Sequence, residues 1–174
     1  SGGGESASGI GISGKYGPVA IGWSEPTTLE LLAGDRIQVG ADVGIVSTYD
    51  GADAFEAIAL EVNSAPESFS EEVTGIAVDG RLESDSGGIR LAQSADPAAE
   101  SPPPLVINGG VLSESGDIML VSDRLEIGSD ARISTGGRLD IMPFDAQTAV
   151  GVGDGADGQL TLGTWQQIIL IDFD

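Results

Sequence analysis

This 174-residue sequence offers one kind of reactive side chain in quantity: 28 Asp and Glu stand against 7 Lys and Arg, and there is no His and no Cys. That excludes Ser-His triads, thiol nucleophiles, His- or Cys-ligated zinc, haem attachment through Cys and disulfide staples. What remains is carboxylate acid–base chemistry, a hydroxyl nucleophile assisted by the single Lys15, and oxygen-ligated hard cations. Asp-Gly-Ala-Asp occurs twice, at Asp50–Asp53 and at Asp154–Asp157, the second inside Gly151-Val152-Gly153-Asp154-Gly155-Ala156-Asp157-Gly158. Carboxylates beside flexible glycines suit calcium, but the calcium-binding nonapeptide repeats work in tandem and each of these is isolated. Both are therefore read as solvated turns, and calcium is retained only as a condition to test. Two carboxylates on one face could cleave a glycan, but with so many acidic residues some pairs fall close by chance. No catalytic, cofactor-binding or metal-ligating residue is assigned.

Gly9-Ile10-Gly11-Ile12-Ser13-Gly14 matches the dinucleotide fingerprint and, with Lys15, nearly matches a phosphate loop. The first must leave a strand and open a helix, but here Ser1–Ser8 precedes it and Tyr16-Gly17-Pro18 follows. The second needs Ser or Thr after the lysine, where this chain has Tyr16. A Gly-rich strand at a sheet edge is the better reading. The net charge of −21 disfavours nucleic-acid backbones and anionic bilayers, and no apolar run approaches a membrane span. Self-repulsion at that charge should make stability depend on added salt or calcium.

The elements that would position these residues are short. Twelve runs have strand character and are bounded by Gly, Asp, Ser, Asn or Pro. They are Val19–Trp23, Arg36–Val39, Gly44–Ser47, Ala57–Val62, Gly75–Val78, Ile89–Ala92, Leu105–Ile107, Asp117–Val121, Leu125–Ile127, Arg138–Met142, Gln159–Leu162 and Gln167–Ile171. Ile118, Leu139 and Leu160 lie 21 apart, as do Ile37 and Ile58. The longer steps, 31 from Ile58 to Ile89 and 29 from Ile89 to Ile118, each contain an apparent insertion, Asn63–Glu72 and Ser94–Pro104. A period near 21 built from short strands predicts an all-β parallel β-helix, that is, a β-solenoid with about 21-residue coils and two inserted loops. Ser1–Ser8 reads as a flexible leader or linker, and 9–174 as a single solenoid domain. Ile118 and Leu120, or Leu139 and Ile141, would share an inner face, leaving Arg138 and Asp140 in water. An antiparallel sandwich also uses short strands and remains the alternative. Ala52–Glu61 is open between a helix, through Phe55, Ala59 and Val62, and a strand, through Ile58, Leu60 and Val62.

From Ser115 onward the sequence resembles the haemagglutination-type repeats of filamentous haemagglutinin-like exoproteins. The matching residues are Gly116, Ile118 and Leu120; Leu125 and Ile127; Ile133, Gly137, Leu139, Ile141 and Pro143; and Val150, Gly151, Gly153, Gly158, Leu160 and Leu162. Leu32–Val39 is a weaker echo. The resemblance implies a right-handed parallel β-helix, secreted and displayed on a bacterial surface for adhesion, aggregation or biofilm formation, and this chain is then expected to be a piece of a longer exoprotein or a compact derivative of one.

Three functions follow as expectations. The first is a non-enzymatic extracellular adhesin or structural module that meets protein or glycan partners through Asn63–Glu72 and Ser94–Pro104, the latter stiffened by Pro102-Pro103-Pro104. Both insertions can equally be spacers. The second is a filament subunit joined end to end, with Ile168–Ile171 as a candidate joint or as a last buried rung. The third is a polysaccharide-cleaving β-helix enzyme.

Overall fold

The computed structural model describes residues 9–14, 16–63, 75–94 and 103–144. Ser1–Ser8, Lys15, most of both insertions, Asp154–Asp157, Leu160 and Ile168–Ile171 lie outside the described residues. The described chain is all strand and turn, in five successive triplets. The first is β1 (Ile10–Ile12), β2 (Val19–Trp23) and β3 (Leu29–Ala33); the second β4 (Arg36–Val39), β5 (Val43–Ser47) and β6 (Glu56–Asn63). The third is β7 (Gly75–Val78), β8 (Arg81–Ser84) and β9 (Gly88–Ser94); the fourth β10 (Leu105–Ile107), β11 (Gly110–Ser113) and β12 (Ile118–Val121). The fifth is β13 (Leu125–Ile127), β14 (Arg132–Thr135) and β15 (Leu139–Met142).

Each member of a triplet enters a different sheet. The first sheet runs β1-β4-β7-β10-β13, the second β2-β5-β8-β11-β14 and the third β3-β6-β9-β12-β15. Every one of these pairings is parallel, so the antiparallel sandwich does not apply. Three parallel five-stranded sheets visited in rotation make a β-solenoid. β1 is the edge strand of the first sheet, so Gly9–Gly14 is the Gly-rich strand edge its surroundings suggested and opens no helix.

Inward residues stack like on like. In the third sheet Leu29, Ile58, Ile89, Ile118 and Leu139 form one column, and Leu31, Leu60, Leu91, Leu120 and Ile141 the next. Ile10, Ile37, Ile76, Leu105 and Leu125 form a column in the first sheet. Ile37, Ile58, Leu60, Ile76, Leu82, Leu91, Leu105 and Ile118 are buried outright. Burying side chains of this size stabilises by roughly 1.5–3 kcal/mol each before entropy is charged against it.

The 21-residue step joins Ile118 to Leu139, as the spacing predicted. It does not join Ile37 to Ile58: Ile37 pairs with Ile10 and Ile76 in the first sheet, whereas Ile58 pairs with Leu29 and Ile89 in the third. The coil is not constant in length, since in-register partners are separated by 20 residues (Leu105 and Leu125) to 39 (Ile37 and Ile76). Stacking constrains the three strands and leaves each corner free to lengthen. At Ala52–Glu61 the strand alternation prevails: β6 begins at Glu56 and buries Ile58, Leu60 and Val62, with a bulge between Glu56 and Ile58.

Candidate functional site at two corners of the solenoid

With coil residues committed to stacking, chemistry and recognition fall to the corners. Between the third and first sheets, β3 turns into β4 through Gly34 and Asp35 alone, and β12 turns into β13 through Ser122–Arg124. On the two coils between them the same corner carries 64–74 and 95–104, so both insertions leave and rejoin the solenoid at one corner on consecutive coils.

Their roots are fixed by a specific lock. Gly75, where the first insertion rejoins, has φ +136°, and its N–H donates to the Asp35 carbonyl at 3.0 Å. A Cβ at this position would lie 2.6 Å from the Pro104 carbonyl oxygen and 2.9 Å from Gln93 Oε1, so glycine is required both by conformation and by space. Gln93 ends the inward row of β9, below Ala33 and Val62 in register, and is fully buried. Its Oε1 accepts the Ile76 N–H at 2.8 Å. One amide side chain thus ties the root of the first insertion to the strand that leads into the second.

The outer face beside this corner carries charge. Arg90 Nε donates to Glu56 Oε2 at 3.1 Å and its Nη1 to Glu61 Oε2 at 3.0 Å. Partial burial alone would lower the guanidinium's pKa, but the hydrogen bond to Glu61 and the charge of Glu56 outweigh it and hold Arg90 above its ordinary value. Ala59, opposite Arg90 in register, is buried although it projects outward.

The corner between the second and third sheets is built differently. Trp23, Ser47, Ser84, Ser113 and Thr135 stand in register at the ends of their strands. Ser84 Oγ accepts the Gly87 N–H at 2.9 Å; Ser113 Oγ accepts the Gly116 N–H at 2.9 Å and donates to the Gly87 carbonyl at 3.1 Å. Thr135 Oγ1 donates to the Gly116 carbonyl and accepts the Gly137 N–H at 2.9 Å. Any side chain at Gly116 would run into the Gly87 backbone, so these turns nest closely. Residue types alone carry a signal for this ladder: Ser84-Asp85-Ser86-Gly87 and Ser113-Glu114-Ser115-Gly116 are 29 residues apart. Ser47 breaks the pattern. The turn after it runs from Thr48 to Phe55, Asp50 replaces the bonding glycine three residues on, and the buried Ser47 Oγ has no partner.

That longer turn overhangs the two nested ones and leaves a cleft of about 330 Å³, lined by Gly51–Phe55, Ser86, Gly88 and Ser115–Asp117. Gly51, Ala52 and Asp53 of the first Asp-Gly-Ala-Asp motif therefore form part of a cleft wall. The two carboxylates in the cleft lining have structural partners: Asp53 Oδ2 accepts the Tyr49 hydroxyl at 2.7 Å, and across the cleft Asp117 Oδ1 accepts the Arg138 N–H at 2.7 Å. The hydrogen bond to Asp53 is the main cause that holds the Tyr49 hydroxyl above its ordinary pKa, followed by burial and the charges of Asp53, Asp50 and Glu25. Tyr49 also meets the Phe55 ring edge-on, with centroids 5.4 Å apart. Among the described residues no group of three or more acidic side chains is placed to hold a metal ion. Comparison with protein-family models, curated proteins and solved structures finds no match to this chain.

Proposed function

We propose that the protein is a non-enzymatic extracellular module of the filamentous haemagglutinin-like kind, a stalk-like surface element that binds protein or glycan partners along one corner. The observation that carries this reading is the departure of both insertions from the same corner on consecutive coils. Sequence freed from stacking is thereby gathered on one edge, as a repetitive scaffold requires if it is to recognise anything. We further propose a right-handed coil with a basic unit near 21 residues, lengthened at its corners. Right-handedness is favoured because parallel crossovers take that hand almost without exception. The Gly116–Leu120 and Gly137–Ile141 resemblance and the absence of cysteine fit an exported, surface-displayed protein.

The test exploits the short version of the same corner. Replacing 64–74, and separately 95–102, by the Gly-Asp connection that joins β3 to β4 should leave the far-ultraviolet spectrum of a β-protein intact. Binding of the full chain to an immobilised panel of matrix proteins and glycans should fall at least about tenfold for one replacement. Undiminished binding after both replacements, or turnover of any glycan by the parent chain, would overturn the reading.

A further inference from the structure

The stack is finished in its middle coils and most exposed at its β13–β15 end. Ile127, Leu139 and Ile141 continue the columns of Ile107, Ile118 and Leu120, which are 0–1% exposed, yet they are themselves 42%, 40% and 41% exposed. β13, β14 and β15 are the edge strands of the three sheets at this end, each with a row of backbone groups facing outward. Inner-face aliphatics and three parallel edges in rotation make a template for one more coil.

We propose that residues 145–174 of the same chain cover this end as a sixth coil. A coil needs three strands in fixed order, and the sequence after Phe144 holds three runs with aliphatics, Ala149–Val152, Leu160–Leu162 and Ile168–Ile171. Assigned in turn to the first, second and third sheets, they require connections of five to seven residues, within the two to eleven separating consecutive strands above. Val150 and Val152 then match the two-residue step of Leu125 and Ile127, and Leu160 and Leu162 that of Ile133 and Thr135. Ile169 and Ile171 match Leu139 and Ile141, which leaves Asp172 outward beside Met142. The step from Leu139 to Ile169 is 30 residues, close to the 29 and 31 of the upper third-sheet steps. A 21-residue register would instead seat Leu160 on Leu139, leaving the single run Ala149–Val152 to supply strands for two sheets. The thirty-residue coil closes this end against end-to-end joining of copies.

The chain has no cysteine, so introduced pairs report without background. In-register outward neighbours on parallel strands lie about 4.8 Å apart, within disulfide reach. Met142→Cys with Asp172→Cys should cross-link within one chain on mild oxidation. Asp140→Cys with Thr161→Cys, neighbours only in the 21-residue register, should give less than about a tenth of that yield. The reverse preference overturns the proposed register; bonds between two chains make a second copy the occupant; no bond in either pair also overturns it. Amide exchange of the unsubstituted chain is independent of any substitution. The outward N–H groups of β13, β14 and β15 should exchange about a hundredfold or more slower than free peptide. Exchange at the free-peptide rate would refute the sixth coil.

Discussion

The two corners solve one problem in opposite ways. Between the second and third sheets the solution is repeated: a hydroxyl at the strand end and a glycine two or three residues later, copied at Ser84, Ser113 and Thr135, so each turn is held mostly by its own residues. Between the third and first sheets it is made once: Gly75, Gln93 and Pro104 come from distant parts of the chain and meet around two long excursions. A repeated device tolerates the loss of one copy and keeps the surface uniform. A single lock concentrates the cost of error in a few residues but permits an excursion of any sequence, which is what a recognition edge needs.

Breaking the lock should therefore have the largest effect. Gly75→Ala combines a positive φ with a Cβ pressed against the Pro104 carbonyl and Gln93, and should destabilise by about 3 kcal/mol or more in denaturant unfolding. Gly17 is the control. It shares the conformation, φ +141°, but a Cβ there meets nothing within 4 Å. Gly17→Ala should cost only about 1–2 kcal/mol. Equal losses at the two positions would mean that crowding at the lock contributes nothing.

Gln93→Leu keeps the bulk and removes the acceptor, leaving the Ile76 N–H buried without its partner; about 1–3 kcal/mol should be lost. Gln93→Glu retains an acceptor oxygen in its protonated form and should recover part of the loss in acidic solution, then lose it as pH rises and the buried carboxyl must ionise. Full stability in Gln93→Leu would show that the amide merely fills space.

The repeated corner sharpens the comparison because it contains its own exception. Ser113→Ala removes one accepted and one donated hydrogen bond and should cost about 1–2 kcal/mol. Ser47→Ala removes a buried hydroxyl that has no partner, and should be neutral or stabilising by up to about 1 kcal/mol. Thermal melts of the two variants side by side should move in different directions or by clearly different amounts. Equal destabilisation would contradict the division of labour along this column.

The same contrast explains what was legible in the sequence. First- and third-sheet strands carry pairs of inward aliphatics two residues apart, such as Ile37 and Val39 or Ile118 and Leu120, and most of them read as strands directly. β8, β11 and β14 did not, because each turns one aliphatic inward, Leu82, Val111 or the half-buried Ile133, followed by Ser84, Ser113 or Thr135. An inward hydroxyl looks like turn punctuation until its register is known. Ile37 and Ile58 each head a pair of inward aliphatics, so a 21-residue spacing could join them across two sheets although the second-sheet run Gly44–Ser47 lies between them. Nor could local pattern show Gln93 as a lock, since its partner lies 17 residues away on a strand of another sheet. The insertions themselves were visible, because composition changes abruptly where stacking stops.

The smallest expected effect lies in the cleft of the repeated corner. Tyr49 donates to Asp53, and its folded-state pKa stands above the ordinary 10.0. A group raised on folding contributes stability that is fully present below its unfolded pKa and lost as pH rises through the folded one. The contribution should thus hold up to about pH 10 and fade in more alkaline solution. Tyr49→Phe should remove the later part of the alkaline absorbance titration and flatten this segment of the stability profile, while neutral-pH stability changes little. The long turn would then owe its position mainly to the edge-on packing of residue 49 against Phe55, which the phenylalanine preserves. A large neutral-pH loss in Tyr49→Phe would instead make the hydroxyl bond the true support of the overhang, and would bring this turn closer in kind to the single lock at the opposite corner.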